Sequence, residues 1–138
     1  MNARFVADAS VGVAWVHPAQ ATPQTEAMLQ ALYDGAVVEA PALWPSEVAN
    51  ALLVLVRRKK LSASERHRSL IALQNLSVEL DHEMSALAFT KLSTLAAEHR
   101  LSVYDAAYLE LALRKKLPLG CKDGPLRAAA KRCHLTSL

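Results

Sequence analysis

Short apolar runs alternate with longer helical patterns along this chain, and no other feature limits its fold so tightly. Phe5 to Ala7, Ala36 to Ala40, Val78 to Leu80 and Leu117 to Gly120 read as strands, and His134 to Ser137 as a small fifth. Between them lie helical stretches. A short one follows Ala9 and ends near His17-Pro18, and another runs from Pro23 to Tyr33, closed by Asp34-Gly35 as a glycine C-cap. Pro45 suits a first-turn position and opens a helix to about Lys59, where Arg57 to Lys60 place cations at the negative end of the dipole. Ser62-x-x-Glu65 resembles a capping box for a helix to about Asn75. Further helices are predicted from Met84 to Glu98, from Ser102 onward, and from Pro125 to Arg132. Strands separated by helices need crossover connections, so the sheet is expected to be mainly parallel and covered on both faces. The expectation is a three-layer α/β/α sandwich around a short sheet, in one domain spanning 1–138.

Composition narrows the class. Apolar residues make up 52% of the 138 positions and charged residues 21%, which supports a packed core and argues against global disorder. The apolar run Ala51 to Val56 is too short to cross a bilayer, and Met1 to Arg4 leads into a strand without the apolar stretch of a signal peptide, so a cytoplasmic, membrane-free protein is expected. Cys121 and Cys133 form neither a CxxC motif nor a Cys/His cluster, so zinc is not expected. No glycine-rich phosphate loop is present, which counts against nucleotide substrates.

Four acids carry the functional signal. Asp8, Glu47, Asp105 and Asp123 each stand where a predicted strand or loop gives way to a helix. Ligands of open α/β sheets bind outside the carboxyl ends of the strands. Carboxylates gathered at that edge suit a hard divalent cation, Mg²⁺ or Mn²⁺, and metal-assisted phosphodiester hydrolysis. Each acid also has an ordinary use: Asp8 as a turn cap, Glu47 as a dipole partner, Asp105 in a near capping box with Ser102, Asp123 as an N-cap. What those uses leave unexplained is the grouping. The net charge is +3; setting four of the 13 acids aside leaves 9 against 16 Lys and Arg, a surplus of seven, which suits a polyanionic substrate.

The strings around the acids are Val6-Ala7-Asp8-Ala9-Ser10, Pro45-Ser46-Glu47-Val48-Ala49-Asn50, Leu101-Ser102-Val103-Tyr104-Asp105-Ala106-Ala107-Tyr108-Leu109-Glu110-Leu111-Ala112, and Leu117-Pro118-Leu119 leading to Asp123. In order, spacing and wording they resemble the PIN-domain family, in particular the VapC-like toxins of toxin–antitoxin pairs. The resemblance covers nearly the whole chain. It implies a Mg²⁺- or Mn²⁺-dependent endoribonuclease, a homodimer, and a cognate antitoxin whose tail covers the active groove. By position, Asp8, Glu47, Asp105 and Asp123 match the family's acidic quartet, and Ser10 its hydroxyl beside the first Asp. One departure stands out: Cys121 occupies the place of a hydroxyl residue two positions before Asp123, with Lys122 between them. A thiol is a poorer partner for a metal-bound water. Lys122 either competes with the cation or turns outward to RNA.

Asn50 lies one helical turn past Glu47 and suits orienting it, or else a buried amide bonded to backbone. Arg127 is a candidate phosphate contact, as are other cations of the chain, for which a solvated helix face is the ordinary reading. Trp15 and Trp44 suit packing beneath the sheet edge or in an interface rather than base stacking. The five histidines show no catalytic spacing. The alternative function is a PIN-like domain with a weakened metal site that binds RNA or protein without cleaving.

Overall fold

The structure is a computed structural model that describes residues 3–122 and 124–138. Four strands form one sheet: β1 (Arg4–Ala7), β2 (Val37–Pro41), β3 (Val78–Asp81) and β4 (Leu119–Gly120). Their order is β3-β2-β1-β4, and every pairing is parallel. Val6 is the shared register point, opposite Glu39 on one side and Leu119 on the other. The expected fifth strand is present only as a parallel bridge between Leu119 and Ser137.

The helices are α1 (Ala9–Val16), α2 (Pro23–Tyr33), α3 (Trp44–Arg57), α4 (Ala63–Gln74), α5 (Met84–Leu87), α6 (Ser93–His99), α7 (Val103–Lys115) and α8 (Pro125–Arg132), with a 3-10 turn at Pro18–Gln20. Their limits follow local chemistry. Thr22 and Ser62 each close a reciprocal capping box, with Thr25 and Glu65. Pro23, Pro45 and Pro125 sit in first turns, where a missing N–H costs nothing. Gly35, at φ 104°, takes the left-handed turn after α2. The single helix expected over Met84 to Glu98 is instead broken by a π-helical turn at Ala88–Leu92.

The core lies on both sides of β1. Val6, Ala7, Val38, Ala40 and Leu119 are sealed from solvent. Helix α7 crosses one face, packed on β1, β2 and β4 and flanked by α6 and α8. Seven of its consecutive residues, Ala106 to Ala112, are buried. On the other side α1 packs on α2, α3 and α4. An added Cβ at Gly120 would come within 2.3 Å of the Met28 sulfur, so α2 lies directly against β4 there.

Two buried acids, Glu110 within α7 and Glu39 on β2, hold the cations at the end of α7. Glu110 receives Arg114, which also forks onto Asp81 at 2.7 and 3.0 Å. Glu39 receives Lys115 at 2.7 Å. Neither contact was visible in the apolar string around Glu110. Among the described residues no helix is long and apolar enough to cross a membrane.

Candidate functional site

The chain reverses its winding at β1. β2 and β3 are added on one side, and β4 on the other after the long excursion through α3 to α7. The crevice at such a reversal is where doubly wound sheets place ligands. Asp8 stands in it, directly after β1. Its backbone N–H donates to the Gly120 carbonyl at 3.0 Å, and its carbonyl accepts the Trp44 indole N–H at 3.2 Å. Neighbouring strand and helix thus fix the residue before its side chain does anything.

The Asp8 side chain caps α1. Its Oδ1 accepts from the Ser10 hydroxyl at 2.7 Å and the Val11 amide at 3.2 Å. The capping use and the site use are compatible, because these bonds engage one of the two oxygens. Burial pushes the Asp8 carboxyl up to about 6, aided by the negative charges of Asp105 and Glu47 and opposed by the two bonds to Oδ1.

Glu47 sits in the first turn of α3 and is half-buried. Its Oε1 accepts a 2.6 Å hydrogen bond from the Tyr108 hydroxyl. Burial raises the Glu47 carboxyl, and Asp105 adds to the rise against that hydrogen bond. Asp105 opens α7. Its amide is capped by Ser102 Oγ at 3.0 Å, but the reciprocal bond that Glu65 makes at the start of α4 is not made. The Asp105 carboxylate is therefore not spent on capping, and burial raises it as well.

Asp8, Glu47 and Asp105 thus come from three elements and act on one another electrostatically. Among the described residues none of them has a Lys or Arg within ion-pair distance, whereas buried Glu39 and Glu110 do. Part-buried carboxylates without cations match the charge and hard-oxygen chemistry of a divalent metal. The described acids do not by themselves close into a set of three metal ligands. Mg²⁺ tolerates that, since it keeps several waters and needs only one or two carboxylates.

The other predicted residues fall as follows. Asp123 lies outside the described residues. Ser10 is on Asp8, as above. Asn50 is exposed, so the buried-amide reading does not apply to it. Lys122 Nζ donates to the Gln20 carbonyl at 3.0 Å. Arg127 Nη1 bridges the Cys121 and Leu138 carbonyls, each at 3.1 Å, tying the loop after β4 to residue 138. Cys121 is buried. Trp15 and Trp44 are both core residues, and Trp15 donates to the Thr25 carbonyl at 2.9 Å.

Tyr108 was missed by sequence reasoning. The signal was its place one helical turn after Asp105, which puts both on one face of α7. A groove of about 420 Å³ leads away from Ser10 and Glu47 between α1 and α3, over Val13, Ala51 and Val54, to Arg58. A separate apolar groove of about 400 Å³ lies between α3, α4 and edge strand β3, lined by Trp44, Val48, Leu73 and Leu80 and by none of the acids.

No family model matches the sequence, and no curated protein does. Solved structures do match in shape. The crystal structure of PAE2754 from Pyrobaculum aerophilum aligns at a TM-score of 0.72 and 21% identity, over 99% of this chain and 90% of that one. A crystal structure of VapBC2 from Rickettsia felis, bound to a DNA fragment from the promoter, aligns at 0.66 and 12% identity, over 98% and 97%. A toxin–antitoxin complex from Klebsiella pneumoniae aligns at 0.53 and 13% identity, over 86% of each chain. At such identities the likeness is one of fold: the all-parallel sheet flanked by helices is the PIN-like α/β architecture expected from the sequence.

Proposed function

We propose that this protein is a Mg²⁺- or Mn²⁺-dependent endoribonuclease that serves as the toxin of a toxin–antitoxin pair. One observation carries the reading: part-buried Asp8 stands at the winding reversal of a sheet with this fold and interacts electrostatically with part-buried Glu47 and Asp105, none of the three having a cationic partner among the described residues. The shared fold with chains solved in toxin–antitoxin complexes supports the biological role.

Asp8 and Asp105 would hold the cation, with Glu47 and Asp123 completing the acidic set. The bound metal would supply an activated water and charge neutralisation at the phosphate. The chain's own residues do the rest. Ser10 and the Val11 amide fix Asp8 Oδ1, leaving Oδ2 for the site. Tyr108 occupies Glu47 Oε1 and leaves Oε2. The groove from Ser10 and Glu47 to Arg58 gives a strand of RNA a path with a phosphate contact at its far end. A homodimer and an antitoxin covering this groove belong to the same reading.

The test is cleavage of a mixed-sequence RNA under Mg²⁺ and Mn²⁺ titration, with Asp8→Asn as control. Metal-dependent cleavage that Asp8→Asn loses is expected. RNA binding without cleavage at any metal concentration would favour the binding-only alternative, with which the unclosed ligand set of the described acids also agrees.

A further inference from the structure

Tyr108 is almost wholly buried, in the most enclosed stretch of α7, yet its hydroxyl reaches a carboxylate of another helix. The contact spans 61 residues of sequence and is 2.6 Å long, in the range of charge-assisted bonds. A tyrosine buried only for its ring would be replaceable by phenylalanine, and a buried hydroxyl usually marks a specific partner. Here the partner is Glu47, a half-buried acid in the first turn of α3 that Asp105 repels.

Geometry makes the pairing informative. Asp105 and Tyr108 are one turn apart on α7, while Glu47 is on α3. The hydrogen bond therefore joins the helix that carries one acid to the acid carried by another. It is a bond from a neutral donor, so it fixes a carboxylate without cancelling its charge, unlike the Lys115 and Arg114 contacts that neutralise Glu39 and Glu110. The phenol remains a donor throughout the working pH range, since burial and then the Glu47 contact raise its pKa.

We propose that Tyr108 is a positioning residue of the acidic site: its buried hydroxyl holds Glu47 against α7, so that Glu47 and Asp105 serve a divalent cation as one preformed group. The proposal rests on the metal-dependent reading above. It follows the general behaviour of partners that orient metal-binding carboxylates, whose loss weakens affinity by about 10–100-fold.

The experiment is a calorimetric titration of Mn²⁺ into the RNA-free protein, for wild type, Tyr108→Phe, Glu47→Gln and the double variant. Tyr108→Phe is expected to weaken Mn²⁺ binding by about 10-fold or more. In the Glu47→Gln background the same change should alter affinity by less than about twofold, because its effect is transmitted through Glu47. Cleavage by Tyr108→Phe should need more metal but recover at saturation. Wild-type affinity in Tyr108→Phe, or an equal loss with and without Glu47, would overturn the proposal. So would a Tyr108→Phe chain that does not fold, which would make the hydroxyl a structural group. A wild-type protein that binds no Mn²⁺ would overturn the metal-dependent reading itself, and this inference with it.

Discussion

The indole N–H of Trp44 donates to the backbone carbonyl of Asp8 at 3.2 Å, and the same ring lies over Gly12. A Cβ at Gly12 would meet Trp44 Cζ2 at 2.7 Å, closer than carbon atoms approach without displacement. The first turns of α1 and α3 are thus packed through one aromatic ring, which also steadies the first acid of the site.

Gly12→Ala tests that packing. Alanine improves helix propensity by about 1 kcal/mol, but overpacking a sealed site costs about 1–3 kcal/mol. The clash is with a buried ring and should win. The expected result is a lower urea midpoint with an unchanged slope. A midpoint at or above wild type would show that the ring can shift freely.

If the proposed reading holds, Asp8→Asn and Asp105→Asn should each keep the fold and abolish metal-dependent RNA cleavage, because the amide preserves shape and removes the charge that would hold the cation. The check is a cleavage assay on proteins purified away from host nucleases, with circular dichroism for folding. Activity near wild type in either variant would remove it from the site.

The pH dependence of stability carries a sign. Asp8 has a folded pKa of about 6 against the ordinary 3.8, so the folded state holds its proton more tightly than the unfolded state does. Stability from this group is therefore present at low pH and is lost as pH rises from about 4 to 6. The full effect is on the order of 3 kcal/mol. Glu47 and Asp105 shift in the same direction. In chelator, Asp8→Asn should gain stability relative to wild type as pH is raised through that window, and Mg²⁺ should narrow the gap at pH 7 by binding the folded wild type. Parallel pH curves for the two proteins in denaturant melts would contradict the burial of Asp8.

Assembly and toxicity give a separate prediction. A dimer should appear in light scattering at micromolar concentration, with an interface on the order of 1,200–2,000 Å². Expression alone should slow growth, the neighbouring antitoxin should restore it, and Asp105→Asn should be harmless. A toxic Asp105→Asn variant would place growth arrest outside the metal site.

Much of this architecture was legible in the chain because it is written locally. The boxes at Ser62 and the turn at Gly35 are set by residues within one helical turn of the boundary, so they read correctly. So did the first four strands, to within two residues at their ends. The π-helical turn at Ala88–Leu92 has no comparable sequence mark. The fifth strand shrank to a bridge at Ser137 because its residues meet β4 at only one point. Of the four acids expected to gather, Asp8, Glu47 and Asp105 act on one another electrostatically, without closing into a set of three ligands among the described residues. The sequence did not indicate that Tyr108 would join Glu47, or that Lys122 and Arg127 would be held by carbonyls of Gln20, Cys121 and Leu138. Such partners lie far away in sequence and are chosen by packing.

Helix α7 is enclosed over Ala106 to Ala112 and braced at its far end through Glu110, Arg114 and Asp81. Segments so enclosed exchange their amide hydrogens only when the whole domain opens. Asp105 stands in the first turn of the same helix, directly before that enclosed stretch, so its backbone is anchored to it. Local melting offers no gentle way to silence such a site. Under the toxin–antitoxin reading proposed above, restraint would have to come from outside, through a partner that covers the groove or through the amount of protein made.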